Sequence, residues 1–391
     1  MKTVGIICEY NPFHTGHAHL LKCVKDADTV ICLMSGAFVQ RGEAAIAPPR
    51  VRAEMALSMG ADLVLELPFP YAASSARYFA TAGVRALSAL GADMLAFGSE
   101  SADPSALLAA ARKTLAPDFE EKVANVAKNT GSAAAYFAAL GEERIGANDI
   151  LALEYTRAIL AEKANMEILP ILRVGAGFHD TDATAEYPSA TALRAAIARG
   201  EDVTDKLPAV TQKIWRRALA AGIAPADTAA LGAAMLSRLR VASESAVTGG
   251  EIPFSDIAEC EGGLGAHLSR AAMEATDYES LCRAAATKKY TDARIRRALL
   301  YILSGVTRDD LLAPPAYLRL LAADEKGRNF LAKGRKTRTV PVVTKQADIA
   351  ALGESAARQR TLGAIAESLF ALCTPKPLFP RALATEPPLF R

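Results

Sequence analysis

Short apolar runs alternate with segments of helical periodicity through the first half of the chain. The uninterrupted apolar runs, several of them rich in β-branched residues, predict strands over residues 3–8, 29–34, 62–67, 94–97 and 167–174. Apolar positions spaced three and four apart predict helices over residues 17–24, 49–59, 74–90, 148–161 and 189–199. Because alternating strands and helices form right-handed βαβ units, we expect an α/β domain with a parallel sheet over residues 1–200.

The strand pattern fades in the second half of the chain. Helical spacing there predicts helices over residues 211–221, 227–241, 278–287, 291–303 and 356–372. We therefore expect a mostly α-helical second domain over residues 201–391, and a length of 391 residues suits two domains of ordinary size.

Composition and charge exclude several classes of protein. With 51% apolar and 23% charged residues the chain is typical of globular proteins, and its net charge of +2 is too small for nucleic-acid binding by charge alone. Any RNA contact must therefore come from a local basic patch. Because the N-terminus lacks a secretory signal and no apolar run is long enough for a bilayer, we expect a cytoplasmic protein with no membrane partner. The six scattered cysteines predict reduced, buried thiols.

The segment from Gly5 to His17 places a strand, a turn and a helix start in the order that nucleotide sites of parallel α/β folds use. His14 and His17 share one face of the first helical turn, and each can donate to a phosphoryl oxygen and carry charge near neutral pH. Gly16 lets phosphates approach a backbone whose N–H groups are free. The alternatives are a metal pair or two surface histidines. Because only His19 offers a further ligand nearby, no protein metal site is predicted.

The string His14-Thr15-Gly16-His17 resembles the signature of the adenylyltransferase and class I synthetase superfamily. The longer run over residues 9–17 is similar to that of one family within it, the bacterial tRNA(Met) cytidine acetate ligases. Further segments match this family in order, at residues 35–43, 61–68, 97–100, 148–155, 173–180, 189–194 and 289–297. The sequence departs from the family at Ala37, where Asn is expected, and at Arg50, where Lys is usual.

The resemblance implies a Rossmann-like nucleotidyltransferase domain followed by a mostly α-helical, tRNA-binding domain. It implies an enzyme that forms acetyl-adenylate from ATP and acetate and then acetylates the exocyclic amine of the wobble cytidine of elongator tRNA(Met). The catalytic residues implied are His14 and His17, which would hold the ATP phosphates with help from Mg²⁺. The implied ATP-binding residues are Ile7, Cys8, Glu9, Tyr10, Asn11, Pro12, Phe13, His14, Thr15, Gly16, His17, Ala18, His19, Leu20, Gly98, Asn148, Arg173 and Val174.

Three of these residues end or begin predicted elements, which supports a shared site. A nucleobase or ribose could lie against Gly98, which follows a strand. Arg173 ends another strand and could pair with a phosphate, although a surface ion pair is the alternative. Asn148 begins a helix, where it could act only as an N-cap.

A second candidate phosphate site opens the helix predicted after residue 188. Ser189 and Thr191 lie at its start, and Arg194 follows one turn later. Simple helix capping is the alternative interpretation. His179 and Asp180 could form a supporting hydrogen-bonded pair, and their role stays open.

Two kinds of basic residue are candidates for RNA contact. Arg41 lies in a glycine-flanked loop, from which it could reach ATP or tRNA, and solvent exposure is the alternative. Candidates for contact with tRNA phosphates are Lys288, Lys289, Arg294 and Arg297, with Tyr290 as a stacking surface and a second cluster over residues 326–338. A solvated helix face and a charged loop would explain the same residues.

Two rival functions remain at this point. A small-molecule adenylyltransferase of cofactor biosynthesis shares the histidine string, but it would not need a large basic helical domain. A catalytically silent, ATP-dependent RNA-binding factor would keep the motif without turnover. The K-M-S-K-S string of class I aminoacyl-tRNA synthetases is absent, which argues against a true synthetase.

Overall fold

A mixed sheet of eight strands organises the fold, and the computed structural model describes residues 2–127, 132–141, 147–173, 189–247 and 254–391. The strands are β1 (Thr3–Cys8), β2 (Thr29–Ser35), β3 (Leu63–Leu67), β4 (Met94–Ser99), β5 (Glu167–Leu172), β6 (Leu318–Ala323), β7 (Val342–Val343) and β8 (Leu389–Phe390). Their order is β5-β4-β1-β2-β3-β6-β7, and β8 pairs with β6.

Helices cover the sheet and build the rest of the chain. In the first half they are α1 (Thr15–Cys23), α2 (Pro49–Ser58), α3 (Ala76–Leu90), α4 (Pro104–Thr114), α5 (Phe119–Ala127), α6 (Ser132–Leu140), α7 (Ala147–Ala161) and α8 (Ala190–Ala198). In the second half they are α9 (Ala209–Ala220), α10 (Gly232–Val247), α11 (Leu264–Glu274), α12 (Tyr278–Ala285), α13 (Asp292–Ser304), α14 (Arg308–Leu312), α15 (Glu325–Lys333), α16 (Glu354–Cys373) and α17 (Pro380–Thr385). Among the described helices, none is long and apolar enough to cross a membrane.

The strands β1 to β5 pair in parallel, which confirms the α/β prediction. Apolar side chains pack on both faces of the sheet: Ile6 and Cys8 of β1 belong to one core cluster and Ile7 to another. This double burial explains why the strands are continuous apolar runs and not alternating ones. The chain passes from β1 through β2 to β3 and then crosses to β4 on the other side of β1. The carboxyl ends of β1 and β4 are thus the switch point at which such folds bind ligands.

The second half contributes strands that the sequence pattern did not predict. β6 pairs antiparallel with β3, and the short strands β7 and β8 pair in parallel with β6. The run Leu318–Ala323 is rich in Leu and Ala, which favour helices locally, and it becomes a strand because β3 offers it an open edge. The second half is mostly helical as expected, whereas the boundary at residue 200 stays a prediction.

The helices α4, α5, α6, α11, α14, α15 and α17 were also not predicted. The apolar periodicity of α6 is weak because five of its nine residues are alanine, and α14 and α17, of five and six residues, are too short for a periodic pattern. The helices that were predicted are all present, with ends shifted by a few residues. The largest shift is that of α10, which was expected over residues 227–241.

The loop between β2 and α2 joins the sheet to the helical second half. Its residues Ala37, Phe38 and Val39 are buried in the core cluster formed by α10 to α13 and α16. A Cβ on Gly42 would lie 2.5 Å from the backbone nitrogen of Arg297, so the loop touches the backbone of α13 directly. The positive φ of 76° at Gly42 also favours glycine.

Candidate nucleotide-binding site

The turn between β1 and α1 is closed by a capping box made of histidines. His14 is the N-cap of α1, and its Nδ1 accepts a hydrogen bond from the backbone nitrogen of Gly16 at 3.0 Å. In return, the backbone nitrogen of His14 donates to Nδ1 of His17 at 3.2 Å. The two imidazoles stack with their centroids 3.7 Å apart. The pair therefore shapes the helix start as serine and glutamate do in ordinary capping boxes.

These hydrogen bonds determine where the histidine protons lie. Because both Nδ1 atoms accept from backbone N–H groups, a neutral ring must carry its hydrogen on Nε2. Burial, with the charges of Arg173 and Arg194, lowers the pKa of His14 to about 3. Burial, the neighbouring His14 and the same arginines also hold the pKa of His17 well below its ordinary value. The expectation that each histidine carries charge near neutral pH is therefore wrong, because His14 is buried, His17 is only partly exposed, and both rings lie near the charges of Arg173 and Arg194.

Aromatic packing holds the histidines in place. The ring of His17 meets Tyr10 edge-on at 4.9 Å and lies 5.6 Å from Phe13. Tyr10 is fully buried at a φ of 49°, and its hydroxyl contacts Sγ of Cys32 at 3.2 Å. Asn11 accepts from the backbone nitrogen of Ile46 through its side-chain oxygen at 2.7 Å. These contacts rigidify the turn that presents the two Nε2–H groups.

One hydroxyl in this turn lacks a partner. Oγ1 of Thr15, the first residue of α1, is buried and makes no hydrogen bond to the described part of the chain. A buried hydroxyl without a partner is rare in folded proteins, and a bound ligand is one way to satisfy it. Further along α1, His19 faces Cys23 on the exposed side, with Nε2 and Sγ 3.6 Å apart.

Gly98 and Arg173 meet at the ends of β4 and β5. A Cβ on Gly98 would lie 3.3 Å from Cγ of Arg173, so the arginine side chain crosses the strand where glycine leaves room. The backbone nitrogen of Arg173 donates to the carbonyl of Ser99 at 3.1 Å. The strand end thus brings a guanidinium to the same edge as the histidines, and its charge lowers the pKa of both.

The helix α8 brings a second arginine to the motif. The guanidinium of Arg194 donates to the carbonyl of Asn11 at 2.8 Å and to Oγ1 of Thr191 at 3.3 Å. Ser189 is the N-cap, and its hydroxyl accepts from the backbone nitrogen of Ala192 at 3.0 Å. The Ser189 hydroxyl is therefore used to cap the helix, whereas Arg194 contacts the turn after β1.

Several predicted residues cannot be placed. Val174, His179 and Asp180 lie outside the described residues. The backbone of Asn148 belongs to the first turn of α7, but its side chain lies outside the described part. The neighbouring Asp149, which sequence reasoning left without a role, accepts from the hydroxyl of Ser99 at 2.5 Å and thereby ties the end of β4 to α7.

Arg41 lies between the nucleotide site and α13. The backbone nitrogen of the preceding residue donates to Oε1 of Glu9 at 2.9 Å. Burial lowers the pKa of the Arg194 guanidinium. The positive charges of Arg41 and Arg296 add to this effect, and the carboxylates of Glu9 and Glu43 oppose it. Arg296 also forms an ion pair with Glu43. The loop therefore carries charged groups from both halves of the chain to the motif.

The basic stretch before and within α13 is largely used inside the protein. Lys289 donates to the carbonyl of Gly262 at 2.8 Å, and Arg294 donates to the carbonyl of Glu259 at 3.0 Å. Arg297 pairs with Oε1 of Glu259 at 2.7 Å, and only 9% of its side chain is exposed. Lys288 is exposed. A role of these four residues in tRNA binding stays a prediction.

The expected stacking surface at Tyr290 is wrong, because the residue is only 7% exposed and its hydroxyl donates to the carbonyl of Gly262 at 2.7 Å. The cations of Lys289 and Arg294 also lie 5.1 and 5.4 Å from the centroid of its ring. The aromatic face is thus covered by residues that sequence reasoning had assigned to the RNA.

One structural cation near the site was missed. Arg52 of α2 is fully buried and donates to the carbonyls of Ala47, Glu9, Ser35 and Gly36. It therefore ties together the carboxyl ends of β1 and β2. No sequence signal distinguished it, because α2 also carries the charged residues Arg50 and Glu54.

The structure describes all six cysteines as free thiols. Four are buried as expected, but Cys23 is exposed and Cys282 is half-buried, because both lie on the outer faces of helices. Burial raises the pKa of the Cys8 thiol well above its ordinary value, in agreement with an inert group. Among the described residues no group of three His, Cys, Asp or Glu side chains could hold a metal ion.

Comparison with known proteins identifies the class of this site. The profile of the HIGH Nucleotidyl Transferase family matches residues 1–379. The crystal structure of Thermotoga maritima TmcAL in apo form I superposes over 100% of both chains with a TM-score of 0.91 at 29% identity. The same protein bound with alpha-thio ATP gives a TM-score of 0.88 over 100% of both chains. Fold and site together therefore define a HIGH nucleotidyl transferase.

Curated relatives narrow this class to one family. A tRNA(Met) cytidine acetate ligase of Syntrophotalea carbinolica is 38% identical over 88% of this chain and 85% of its own. That of Acetivibrio thermocellus is 32% identical over 98% of this chain and 97% of its own. The chain belongs to the tRNA(Met) cytidine acetate ligase family, and it is an ATP-binding enzyme of the ligase class.

Proposed function

We propose that the protein activates acetate with ATP at the carboxyl ends of β1, β4 and β5. The acetyl group would then pass to the exocyclic amine of the wobble cytidine of elongator tRNA(Met). The observation that carries the proposal is a pair of neutral imidazoles at the N-terminus of α1, beside Arg173 and Arg194. The names of the relatives support acetate and tRNA(Met) as substrates.

Neutral donors and fixed cations would divide the work on the triphosphate. The Nε2–H groups of His14 and His17 and the buried hydroxyl of Thr15 would donate hydrogen bonds to phosphate oxygens. Arg173 and Arg194 would supply the positive charge. Because the histidines are locked by their own Nδ1 contacts, they need no reorganisation when negative charge develops on the leaving group.

The first chemical step would be in-line transfer at phosphorus. A carboxylate oxygen of acetate forms a bond to the α-phosphorus while the bond to the β-phosphate oxygen breaks, so acetyl-adenylate and pyrophosphate result. The protein contributes position and charge stabilisation, as is usual for this chemistry. In the second step the cytidine amine attacks the acetyl carbonyl, AMP leaves and the amine loses a proton.

Mg²⁺ would enter this site as part of its substrate, the MgATP complex. The described residues lack a cluster of three metal-binding side chains, which suits an ion held mainly by phosphates and water. Such an ion neutralises charge on the transferred and leaving phosphates. The family and its RNA substrate also support a cytoplasmic location.

The proposal is tested by acetate-dependent exchange of labelled pyrophosphate into ATP, measured without RNA. Replacing His17→Ala removes one donor and should lower the exchange rate about 100-fold or more. Lys22→Ala, an exposed change at the far end of the same helix, is the matched control and should leave exchange unchanged. Unaltered exchange in the His17 variant would refute the assigned role.

Labelled acetate separates the proposal from its rivals. Acid-stable label in tRNA(Met) supports the acetate ligase. Transfer of AMP to another metabolite, without acetate dependence, would indicate an adenylyltransferase of cofactor biosynthesis. ATP binding with no turnover would indicate a silent RNA-binding factor.

A further inference from the structure

A second cavity lies at the same edge of the sheet, between β3, β6 and α16. The space that it encloses, part of which is open to solvent, is about 620 Å³, and residues that follow the carboxyl end of β3 form one side of it. Its floor contains Glu66, Arg319 and Glu367. A smaller cavity of about 390 Å³ adjoins it and shares Arg319 and Glu367. We call the larger space the Glu367 pocket.

The floor of the Glu367 pocket has more carboxyl groups than cations. Nε of Arg319 lies 2.5 Å from Oε2 of Glu66, and its NH1 atom lies 2.6 Å from Oε1 of Glu367. Glu386 also lines the pocket, but it is exposed and lies 3.7 Å from Nε of Arg50, a residue of the adjoining cavity. On the floor, two carboxyl groups thus face one guanidinium group. Burial raises the pKa of Glu367 to about 7 even though Arg319 opposes this.

The rim carries two cations besides Glu386, which is paired with Arg50. Lys345 and Arg360 line the pocket and are exposed, and neither has an ion-pair partner among the residues that the structure describes. The walls between rim and floor include Phe69, Tyr317 and Ile349, which are apolar or aromatic. A ligand that fits this arrangement is flat and polar at its inner edge, with a negative group at its outer end.

The position of the pocket connects it with the nucleotide site. Glu66 precedes the last residue of β3, two strands from β1, and all three strands are parallel. With neighbouring strands about 4.8 Å apart, the two sites lie on the order of 10–15 Å from each other on one edge. An RNA whose reacting base lies at the nucleotide site would have neighbouring nucleotides within reach of the pocket.

We propose that the Glu367 pocket binds an unstacked, amino-bearing base of the substrate RNA, cytosine or adenine, while Lys345 and Arg360 hold its phosphate. Carboxylates accept hydrogen bonds from exocyclic base amines, and single-stranded RNA is recognised through splayed bases. Exposed cations bind the backbone phosphates. This inference rests on the proposed function, because it assumes that RNA lies across the sheet edge.

The test combines protein variants with abasic RNA. Binding of an anticodon stem-loop to the full chain is measured with the intact RNA and with single abasic sites around the loop. In the unaltered protein, one abasic site should weaken binding about 10-fold. In the Glu367→Gln variant, the same abasic site should not weaken RNA binding any further. In the Lys22→Ala control, it should still weaken binding about 10-fold. If the effect of Glu367→Gln and the effect of the abasic site multiply independently at every loop position, the proposal is overturned.

The rim is tested by salt. The double variant Lys345→Ala, Arg360→Ala should bind the stem-loop several-fold more weakly, with a shallower dependence on salt concentration. Acetate-dependent exchange without RNA should stay normal in all of these variants. A parallel loss of exchange would mean that the residues serve only the fold and would overturn the pocket. If free CMP or AMP competes for the pocket while no abasic site is coupled to Glu367→Gln, the cavity binds a free nucleotide and the proposal is also overturned.

Failure of the proposed function would look different. An unaltered protein without acetate-dependent exchange refutes acetate activation. The binding measurements with protein variants and abasic RNA would still test whether the pocket binds a base, because they do not depend on catalysis.

Discussion

The histidine turn before α1 and the basic stretch around α13 both looked like phosphate-binding segments, but the fold uses them in opposite ways. At the turn, the backbone satisfies Nδ1 of His14 and His17 and leaves their Nε2–H groups as donors. Around α13, the carbonyls of Gly262 and Glu259 and the carboxylate of Glu259 occupy Lys289, Arg294 and Arg297. The comparison teaches that an unsatisfied donor, more than a positive charge, marks a residue available to a ligand.

The largest expected effect comes from removing a cation of the nucleotide site. Arg194→Ala removes both a phosphate ligand and the bond to the Asn11 carbonyl, so acetate-dependent exchange should fall about 100-fold. Arg199→Ala, an exposed change at the end of the same helix, is the control and should keep full exchange. Equal exchange rates in the Arg194 and Arg199 variants would contradict the assignment of the histidine turn, and not the basic stretch around α13, as the phosphate-binding region.

The next effect concerns folding. Arg297→Ala should lower the free energy of unfolding by about 2 kcal/mol, because it leaves the nearly buried Glu259 carboxylate with only the longer contact to Arg294 at 3.5 Å. Urea unfolding measures this change. Exchange without RNA should be normal in the folded fraction, whereas a variant of unchanged stability would show that the residue is free for RNA.

A smaller effect should appear in the pH dependence of stability. The folded pKa of His14, about 3, lies below the unfolded value, so between these values the unfolded chain binds more protons and stability falls as pH falls below about 6.5. The expected slope is about 1.4 kcal/mol per pH unit. His17, whose pKa is also lowered, adds a slope of the same sign, so His14→Gln should reduce the slope between pH 6 and 5 by about 1.4 kcal/mol per pH unit in urea titrations without abolishing it. A slope equal to that of the unaltered protein would contradict the neutral assignment of His14.

Glu367 acts in the opposite direction over part of this range. Its pKa is raised in the folded protein to about 7, so it favours folding at low pH and loses that contribution as pH rises from about 4.5 through 7. The comparison between His14→Gln and the unaltered protein cancels this contribution because both proteins retain Glu367.

The smallest effect is expected at Lys288, which is exposed like the neighbouring Lys289. Lys288→Ala should change the free energy of unfolding by less than about 0.5 kcal/mol. If the residue contacts a tRNA phosphate, its loss should weaken RNA binding only a few-fold and reduce the salt slope by about 1. An RNA affinity and salt slope identical to those of the unaltered protein would remove Lys288 from the candidates of this stretch.

Much of the fold was predictable because its signals are local. The strands β1 to β4 are largely buried on both faces, so each is an apolar run that a short window detects. The edge strand β5 is only partly buried, but it too is an apolar run. The strand β6 escaped, because Leu318–Ala323 becomes extended only by pairing with β3, more than 250 residues earlier in the chain. The short strands β7 and β8 carry too few residues for any pattern.

The site divides in the same way. The sequence by itself determined the histidine pair, the glycine between them and the strand–turn–helix order, since these depend on neighbours within one turn. Only the tertiary structure decided that the imidazoles are neutral, that Arg194 reaches the Asn11 carbonyl and that Arg52 joins two strand ends. Burial and long-range charge set these properties, and both depend on which distant segments pack together.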